Sequence, residues 1–384
     1  VKRIAVIGST GSIGVSTLKV IAAAPESFKV VGLAAGRNYE RLAEQVSAHR
    51  PRLASVCTED ESQPLCAMLG KNGPAVVSGE EGLCRVATMP EADLVVIAAA
   101  GAAALAPAMA AVHAGKIVAL ANKECLVMAG ALIMEAAKKS GAAILPVDSE
   151  HAALFQALAG RPISQVKRVI LPASGGPFLD TPEPELERVT PEQAVKHPTW
   201  SMGKKISVDS ATLMNKALEI IEAHWLFGLA PEKIEVVIHP EAIVHGMVEF
   251  GDGSVVAQMS VPDMRLPILH ALTWPERLDA GLPRLDLASI GNLSFRKLDP
   301  LRFPAPGLAY RSLQKGGTAP AVLAAADEAA VIAFLAGLIP FTRIVPLVSQ
   351  ILAAHSPSPV TDIEQAKQAD AWAREQVKKS VNTK

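Results

Sequence analysis

Aromatic side chains are scarce: four Trp, two Tyr and nine Phe make up 4% of 384 residues. With half the chain hydrophobic, the core must be aliphatic, which favours a large α/β architecture. Cysteine is rarer still. Cys57, Cys66, Cys84 and Cys125 form no C-x-x-C pair and sit at no zinc spacing, so they read as reduced thiols of a cytoplasmic protein. There is no excess of charge: Lys plus Arg total 37 and Asp plus Glu total 38. That balance leaves no electrostatic footprint for nucleic acid, and the lack of a polybasic run gives no reason to expect a membrane surface. Internal repeats and low-complexity tails are also missing. The uncharged stretch Leu94 to Val112 has spanning length, but it is mostly Ala and Gly with Pro107 inside it. A buried strand, a small-residue loop and a short helix explain it better than a membrane segment. The apolar run starting near Val1 reads as a strand, not as a signal or transit peptide.

Short apolar runs recur at Lys2–Gly8, Phe28–Ala35, Leu53–Cys57, Leu94–Ala98, Ile117–Ala121 and Ala143–Val147, mostly with helical patterns between them, as at Ile13–Ala23. Strands alternating with helices predict a Rossmann-like, doubly wound parallel sheet. After about residue 150 the pattern changes. Val166–Pro172, Ile234–Ile238, Ala242–Phe250 and Ser254–Met259 are strand candidates for an α+β domain with its own sheet, and Asp252-Gly253 signals a hairpin. Residues 276–310, rich in Pro, Leu and Asp, read as a linker. Helical patterns follow at Ala319–Leu335, Thr342–Ala353 and Ile363–Lys379, a C-terminal helical domain.

Gly8, Gly11 and Gly14 join the first strand to the first helix with the spacing G-x-x-G-x-x-G. Such glycines permit a tight turn and close backbone approach, and the helix N-terminus then faces a pyrophosphate. Ser9, Thr10 and Ser12 add hydroxyls. The second strand ends in Gly36, followed by Arg37-Asn38, where an NAD site usually carries an acidic residue. A cation there suits a 2′-phosphate and favours NADPH; the competing reading is a solvated surface charge.

Asp148-Ser149-Glu150 follows the strand Ala143–Val147 at its C-terminal end, where parallel sheets bind ligands. Two carboxylates one residue apart suit Mg²⁺ or Mn²⁺, with Glu219 a possible third ligand; the alternative is a helix N-cap. Asn122-Lys123-Glu124 ends another strand, with Lys123 either catalytic or an ordinary helix-start charge. The segment His197-Pro-Thr-Trp-Ser-Met-Gly-Lys-Lys-Ile-Ser-Val-Asp-Ser-Ala-Thr-Leu-Met-Asn-Lys-Ala-Leu-Glu219 concentrates chemistry. A helix starting after Ser210 places Asn215, Lys216 and Glu219 on one face. Ser174, in the strand-end loop Pro172-Ala-Ser-Gly-Gly-Pro177, together with Ser210, Asn215 and Lys216 makes a small phosphate site. Taken alone, that loop reads equally as a simple turn. His197, Trp200 and Met202 read as a lid or as a packed satellite cluster. His245 is as readily a core histidine as a site residue.

Assembled, these residues make the chain resemble the 1-deoxy-D-xylulose 5-phosphate reductoisomerase family. The resemblance rests on Gly8–Gly14, Gly36–Asn38, Ala121–Glu124, Pro146–Phe155, Ala173–Phe178, His197–Glu219, His239–His245 and Pro262–Arg265, in family order. It implies that Asp148, Glu150 and Glu219 bind a divalent metal (Mg²⁺, Mn²⁺ or Co²⁺). It implies that Ser174, Ser210, Asn215 and Lys216 hold a substrate phosphate, while Ser149, Lys123 and His197 contact the substrate. Thr10 to Ile13, that is Thr10, Gly11, Ser12 and Ile13, with Gly36, Arg37, Asn38, Asn122, Glu124 and Gly203, would contact NADPH. Trp200 and Met202 would belong to a lid near 197–204, and Met264 and His245 would line the site. The implied layout is an NADPH-binding domain over 1–149, a catalytic domain over 150–275, the linker 276–310 and helices over 311–384. A homodimer is implied as well. Departures are few: Cys125 where Ser is common, Ala242 and Gly246 where Ser is frequent, and Arg37 where Lys is frequent. The implied reaction converts 1-deoxy-D-xylulose 5-phosphate, a sugar phosphate, to 2-C-methyl-D-erythritol 4-phosphate. The competing readings are an NADP-dependent semialdehyde dehydrogenase using Cys125, and a non-catalytic NADPH-binding regulator.

Overall fold

The computed structural model describes residues 1–200 and 202–382. The chain forms two compact units: Val1–Cys125, Leu132–Ala152 and Asp263–Pro283 make the first, and Leu126–Ala131, Ala153–Pro262 and Arg284–Lys384 the second.

The first unit is built on seven parallel strands, β1 (Lys2–Ile7), β2 (Phe28–Ala34), β3 (Leu53–Val56), β4 (Ala75–Ser78), β5 (Leu94–Ile97), β6 (Ile117–Leu120) and β7 (Ala143–Pro146), in the order β4-β3-β2-β1-β5-β6-β7. This is the doubly wound sheet expected, with one strand more. Ile4 to Ile7 and Leu94, Val95 and Ile97 are fully buried, which is why the strands read as unbroken apolar runs. From β1 the chain steps outward through β2, β3 and β4 and then crosses back to β5 on the other side of β1, so the switch point lies between β1 and β5. A ligand crevice opens outside the strand ends at such a point. The expected non-membrane reading of Leu94 to Val112 resolves into β5, a short turn and the helix Leu105–His113. Among the described residues no helix is long and apolar enough to cross a membrane. The helix Arg265–Thr273 returns to this unit late in the chain, and Lys2 Nζ donates to the carbonyls of Leu272 (2.8 Å) and Trp274 (3.2 Å).

The second unit holds a mixed sheet of β8 (Val166–Ala173), β9 (Ile234–Ile238), β10 (Val244–Phe250), β11 (Val255–Met259) and β12 (Arg296–Lys297), in the order β11-β10-β8-β9-β12. β10 and β11 form the expected hairpin, with Gly253 at φ +86° in the turn. The 276–310 stretch is not bare linker. It carries the helix Leu287–Ile290, strand β12 paired antiparallel to β9, and the start of the helix Ala305–Lys315. The helices Ala319–Leu335, Ile344–Ala354 and Ile363–Asn382 pack on one another, with the alanine-rich first of them buried along most of its length.

One helix boundary differs from expectation. The segment after the proposed lid is two helices, Lys204–Thr212 and Met214–Phe227, so Ser210 ends one and Asn215 opens the next. The break is at Leu213, which holds a left-handed φ of +58° without being glycine. Its side chain is buried in a cluster with Ala173, Ile238 and Phe303, and that burial sustains a conformation costing roughly 1–2 kcal/mol.

Candidate active site

In the first unit, the glycine loop sits at the C-terminal end of β1. A Cβ on Gly8, at φ +88°, would lie 2.4 Å from the Ala99 nitrogen, so the loops after β1 and β5 touch backbone to backbone. A Cβ on Gly14 would lie 2.2 Å from the Gly8 oxygen. Only glycine fits at either position. Gly11 caps the helix Ser12–Ala23 without a side-chain bond, and that helix has no acidic residue in its first turn. Its N–H groups and positive dipole end are therefore available to an anion. Gly11 and Ser12 are exposed, while Thr10 and Ile13 are half-buried.

The helix Tyr39–His49 tethers this loop. Gln45 Nε2 donates to the Ser9 carbonyl (2.8 Å), Ser9 Oγ donates to Gln45 Oε1 (2.7 Å), and Arg41 Nη1 donates to the Thr10 carbonyl (3.3 Å). Sequence reasoning missed Gln45 and Arg41; their one signal was the shared helical face with Asn38, at spacings of three and four. Gly36, Arg37 and Asn38 are exposed after β2, and Asn38 Oδ1 accepts from the Arg41 N–H as an N-cap.

Asn122 follows β6, caps the helix Lys123–Ser140 and is fully engaged. Its Nδ2 donates to the carbonyls of Ala99 (2.8 Å) and Gly101 (3.2 Å), and its Oδ1 accepts from Cys125 N (2.8 Å). It pins the β5 and β6 loops to each other. The half-buried Glu124 follows in the helix Lys123–Ser140. Lys123, 7% exposed, points its ammonium onto Asp148 Oδ2. Asp148 Oδ1 accepts from Ser149 N (2.9 Å), and Ser149 Oγ donates to Glu150 Oε2 (2.5 Å). Carboxylate oxygens of Asp148 and Glu150 lie within 4.8 Å of each other, close enough for one hard cation. His151, fully buried, brings Nδ1 to 4.0 Å from Asp148 Oδ2. It too escaped sequence reasoning, although its position three residues after Asp148 in a helix puts the two on one face. Met264, half-buried, directly precedes the helix Arg265–Thr273.

In the second unit, Ser174 follows β8. Its hydroxyl meets His197 Nε2 at 3.0 Å. His197 Nδ1 accepts from the N–H groups of Thr199 (3.1 Å) and Trp200 (2.9 Å). With Nδ1 committed as acceptor, the ring proton belongs on Nε2, which donates to Ser174. Burial also pushes the His197 pKa down, so the neutral ring is favoured. Trp200 lies over His245, ring centroids 6.2 Å apart. His245 is buried in β10 with Nε2 3.2 Å from the Ser260 carbonyl, a satisfied core position facing Trp200 of the proposed lid. Met202 is half-buried and Gly203 exposed; Ser201, within the proposed lid, lies outside the described residues.

The loop of Ser174 closes onto the end of the helix Lys204–Thr212. A Cβ on Gly176, at φ +68°, would stand 2.7 Å from the Ser210 carbonyl oxygen. On the next helix, Asn215 Nδ2 (2.5 Å) and Lys216 Nζ both donate to the carboxylate of Glu219, which is fully buried. The expected shared face of Asn215, Lys216 and Glu219 is present, and the three form one hydrogen-bonded set.

The comparisons with known proteins agree along the whole chain. Family models described as 1-deoxy-D-xylulose 5-phosphate reductoisomerase, the C-terminal domain of that enzyme, and DXP reductoisomerase C-terminal domain match residues 4–130, 144–227 and 259–376. The 1-deoxy-D-xylulose 5-phosphate reductoisomerase of Anaeromyxobacter dehalogenans is 53% identical over 383 residues, covering 100% of this chain and 98% of that protein. That of Chlorobaculum tepidum is 52% identical, covering 97% and 98%. The Zymomonas mobilis reductoisomerase solved in complex with NADPH superposes with a TM-score of 0.94 at 40% identity, covering 100% of both chains. A DOX-P reductoisomerase solved with NADPH, fosmidomycin and magnesium gives 0.93 at 39% identity, covering 99% and 98%. A protein that shares about half its residues with the first two of these enzymes from end to end, and the fold of the other two at about 40% identity, belongs to the 1-deoxy-D-xylulose 5-phosphate reductoisomerase family.

Proposed function

We propose that this protein converts 1-deoxy-D-xylulose 5-phosphate to 2-C-methyl-D-erythritol 4-phosphate in isoprenoid precursor biosynthesis, an oxidoreductase that depends on NADPH and a divalent metal. The observation that carries this reading is the match to named reductoisomerases over the full chain. The residues fit both cofactors. Acidic oxygens of Asp148 and Glu150 are the donors a hard ion such as Mg²⁺ or Mn²⁺ prefers, and Glu219 is assigned as the third ligand. The uncapped, acid-free start of the helix Ser12–Ala23 fits a pyrophosphate, and Arg37 fits the extra phosphate that separates NADPH from NADH.

When bound, the divalent ion lowers the cost of negative charge developing on substrate oxygens, and NADPH supplies the hydride that reduces the aldehyde formed by skeletal rearrangement. The rest falls to the chain. Ser174, Ser210, Asn215 and Lys216 grip the phosphate, a remote handle whose binding energy orients the reacting carbons. Lys123, buried against Asp148, holds that carboxylate in place. Ser149 fixes Glu150 through its hydroxyl. His197 reaches the substrate as a neutral ring that donates from Nε2. Trp200 and Met202 close over the substrate and exclude water.

Spectrophotometric NADPH oxidation with 1-deoxy-D-xylulose 5-phosphate tests the reading. Turnover should vanish after exhaustive EDTA treatment and return with Mg²⁺ or Mn²⁺. Unchanged rates in chelator would sink the metal assignment. A dehydrogenase built on Cys125 would show that indifference, but Cys125 is buried at 1% exposure and suits no nucleophilic role. The protein is further read as a cytoplasmic homodimer. Strand β11 at the sheet edge, with Val255 51% and Val256 37% exposed, supports a partner, and sedimentation velocity tests it.

A further inference from the structure

The helix Lys204–Thr212 carries Ser210 in its last turn and is entered directly from the lid, yet it is poorly made to hold itself. It has nine residues, fewer than an isolated helix needs. Gly203 caps it without a side-chain bond, and Lys204 and Lys205 place two positive charges at its positive dipole end. Something outside the helix must fix it.

That anchor is an ionic cluster within the second unit. Lys205 Nζ lies 2.6 Å from Asp209 Oδ2, one turn along its own helix, and 3.0 Å from Asp327 Oδ2, on the helix Ala319–Leu335. Asp327 is fully buried and Asp209 is 2% exposed. An aspartate in the buried middle of an alanine-rich helix costs both helix propensity and desolvation. Such a residue is tolerated only with close compensation, and here the compensating charge comes from the helix that bears Ser210. Burial raises the Asp327 pKa, with Lys205 opposing. Two buried carboxyls beside one ammonium favour sharing a proton, which leaves the cluster neutral. Beyond the cluster, Glu328 is the next charge on that helix, and it is taken up by Arg374 of the helix Ile363–Asn382 at 2.5 Å.

We infer that Asp327 is a positioning residue for the phosphate grip: through Lys205 and Asp209 it fixes the helix Lys204–Thr212, and with it Ser210 and the exit of the lid. The inference rests on the proposed role of Ser210 as a phosphate ligand. Asp327 touches neither substrate nor cofactor in this role.

The experiment compares Asp327→Ala, Asp327→Asn and Lys205→Met with the unaltered full-length protein. Asp327→Ala and Lys205→Met should raise KM for 1-deoxy-D-xylulose 5-phosphate about tenfold, with kcat within about threefold and NADPH affinity unchanged. Backbone amides of residues 204–212 should exchange faster in both, while those of the seven-stranded sheet should not. Asp327→Asn, which mimics a protonated acid, should restore KM to within about threefold of the unaltered protein. Unchanged KM and unchanged exchange in Asp327→Ala and Lys205→Met would overturn the inference. So would equal losses in KM and NADPH affinity, the mark of a merely structural role. If Asp327→Ala does not fold, Asp327→Leu, which fills the site and leaves the Lys205–Asp209 pair intact, decides: unchanged KM and unchanged exchange in it would overturn the inference. If the unaltered protein shows no turnover, the functional reading fails and the exchange measurement alone judges the anchor.

Discussion

Gly176→Ala tests whether the close approach of two backbones sets the proposed phosphate grip. The new Cβ would stand 2.7 Å from Ser210 O, 2.8 Å from Ala211 Cα and 3.0 Å from Ala211 N. All three are backbone atoms, so no rotamer relieves the clash. Ordinary contact begins near 3.4 Å, so the loop or the end of the helix must retreat by about 0.7 Å (3.4 − 2.7). The left-handed φ of +68° adds roughly 1–2 kcal/mol for a residue with a Cβ. Moving Ser210 away from a phosphate forfeits one hydrogen bond to a charged group, roughly 1.5–3 kcal/mol. At about 1.4 kcal/mol per tenfold, KM for the sugar phosphate should rise about tenfold to a hundredfold. NADPH affinity, assigned by the proposed function to the glycine loop of the other unit, should not move. Steady-state kinetics and NADPH fluorescence titration read the two effects separately. Gly307→Ala is the control: no atom lies within 4 Å of its added Cβ, its φ is ordinary, and it should be silent. A Gly176→Ala protein with KM within about twofold of the unaltered enzyme would refute the argument.

Glu219→Gln should abolish turnover while NADPH still binds; near-normal activity would contradict the metal assignment. Arg37→Ala should weaken NADPH about tenfold and leave NADH unchanged, since one exposed cation facing a phosphate contributes on that scale. Equal losses for both nucleotides would remove Arg37 from the 2′-phosphate site. His270 provides a pH signature. Burial first, and the charge of Arg277 second, lower its pKa from 6.5 to about 4. The unfolded chain therefore binds a proton that the folded one resists. The stability from the neutral ring is present above pH 6.5 and is lost as pH falls from about 6.5 to about 4. His270→Gln should flatten the fall of the melting temperature across that window, and an unaltered slope would refute the assignment.

The parallel sheet was legible because strands buried on both faces cannot alternate, so β1, β2, β3, β5, β6 and β7 stand out as apolar runs. β4 was not. Its four residues, Ala75–Ser78, form a partly exposed edge strand between glycine-rich stretches, and no local period marks it. β12 was hidden for another reason: two residues in a Pro-rich segment become a strand only by pairing with β9, far away in sequence. The division between Thr212 and Met214 lacks a Gly or Pro, because Leu213 is driven into its left-handed conformation by tertiary burial.

Candidate site residues were legible where chemistry clusters in sequence. Gly8 to Gly14, Asp148 to Glu150, and Asn215 to Glu219 each lie on one strand end or one helix face, so spacing alone groups them. The supporting residues lie elsewhere. Gln45 steadies Ser9 from the following helix, and Asp327 meets Lys205 from a helix that, Glu328 apart, shows only apolar residues around it. A ligand-touching residue must carry a chemistry that a reader can recognise. A residue that holds a helix in place needs only the right charge at the right distance, and distance is a property of the fold. Asp327 was nevertheless marked in one respect. An aspartate on the buried face of an aliphatic helix costs stability, and the fold keeps it only where an opposite charge, here Lys205, reaches it.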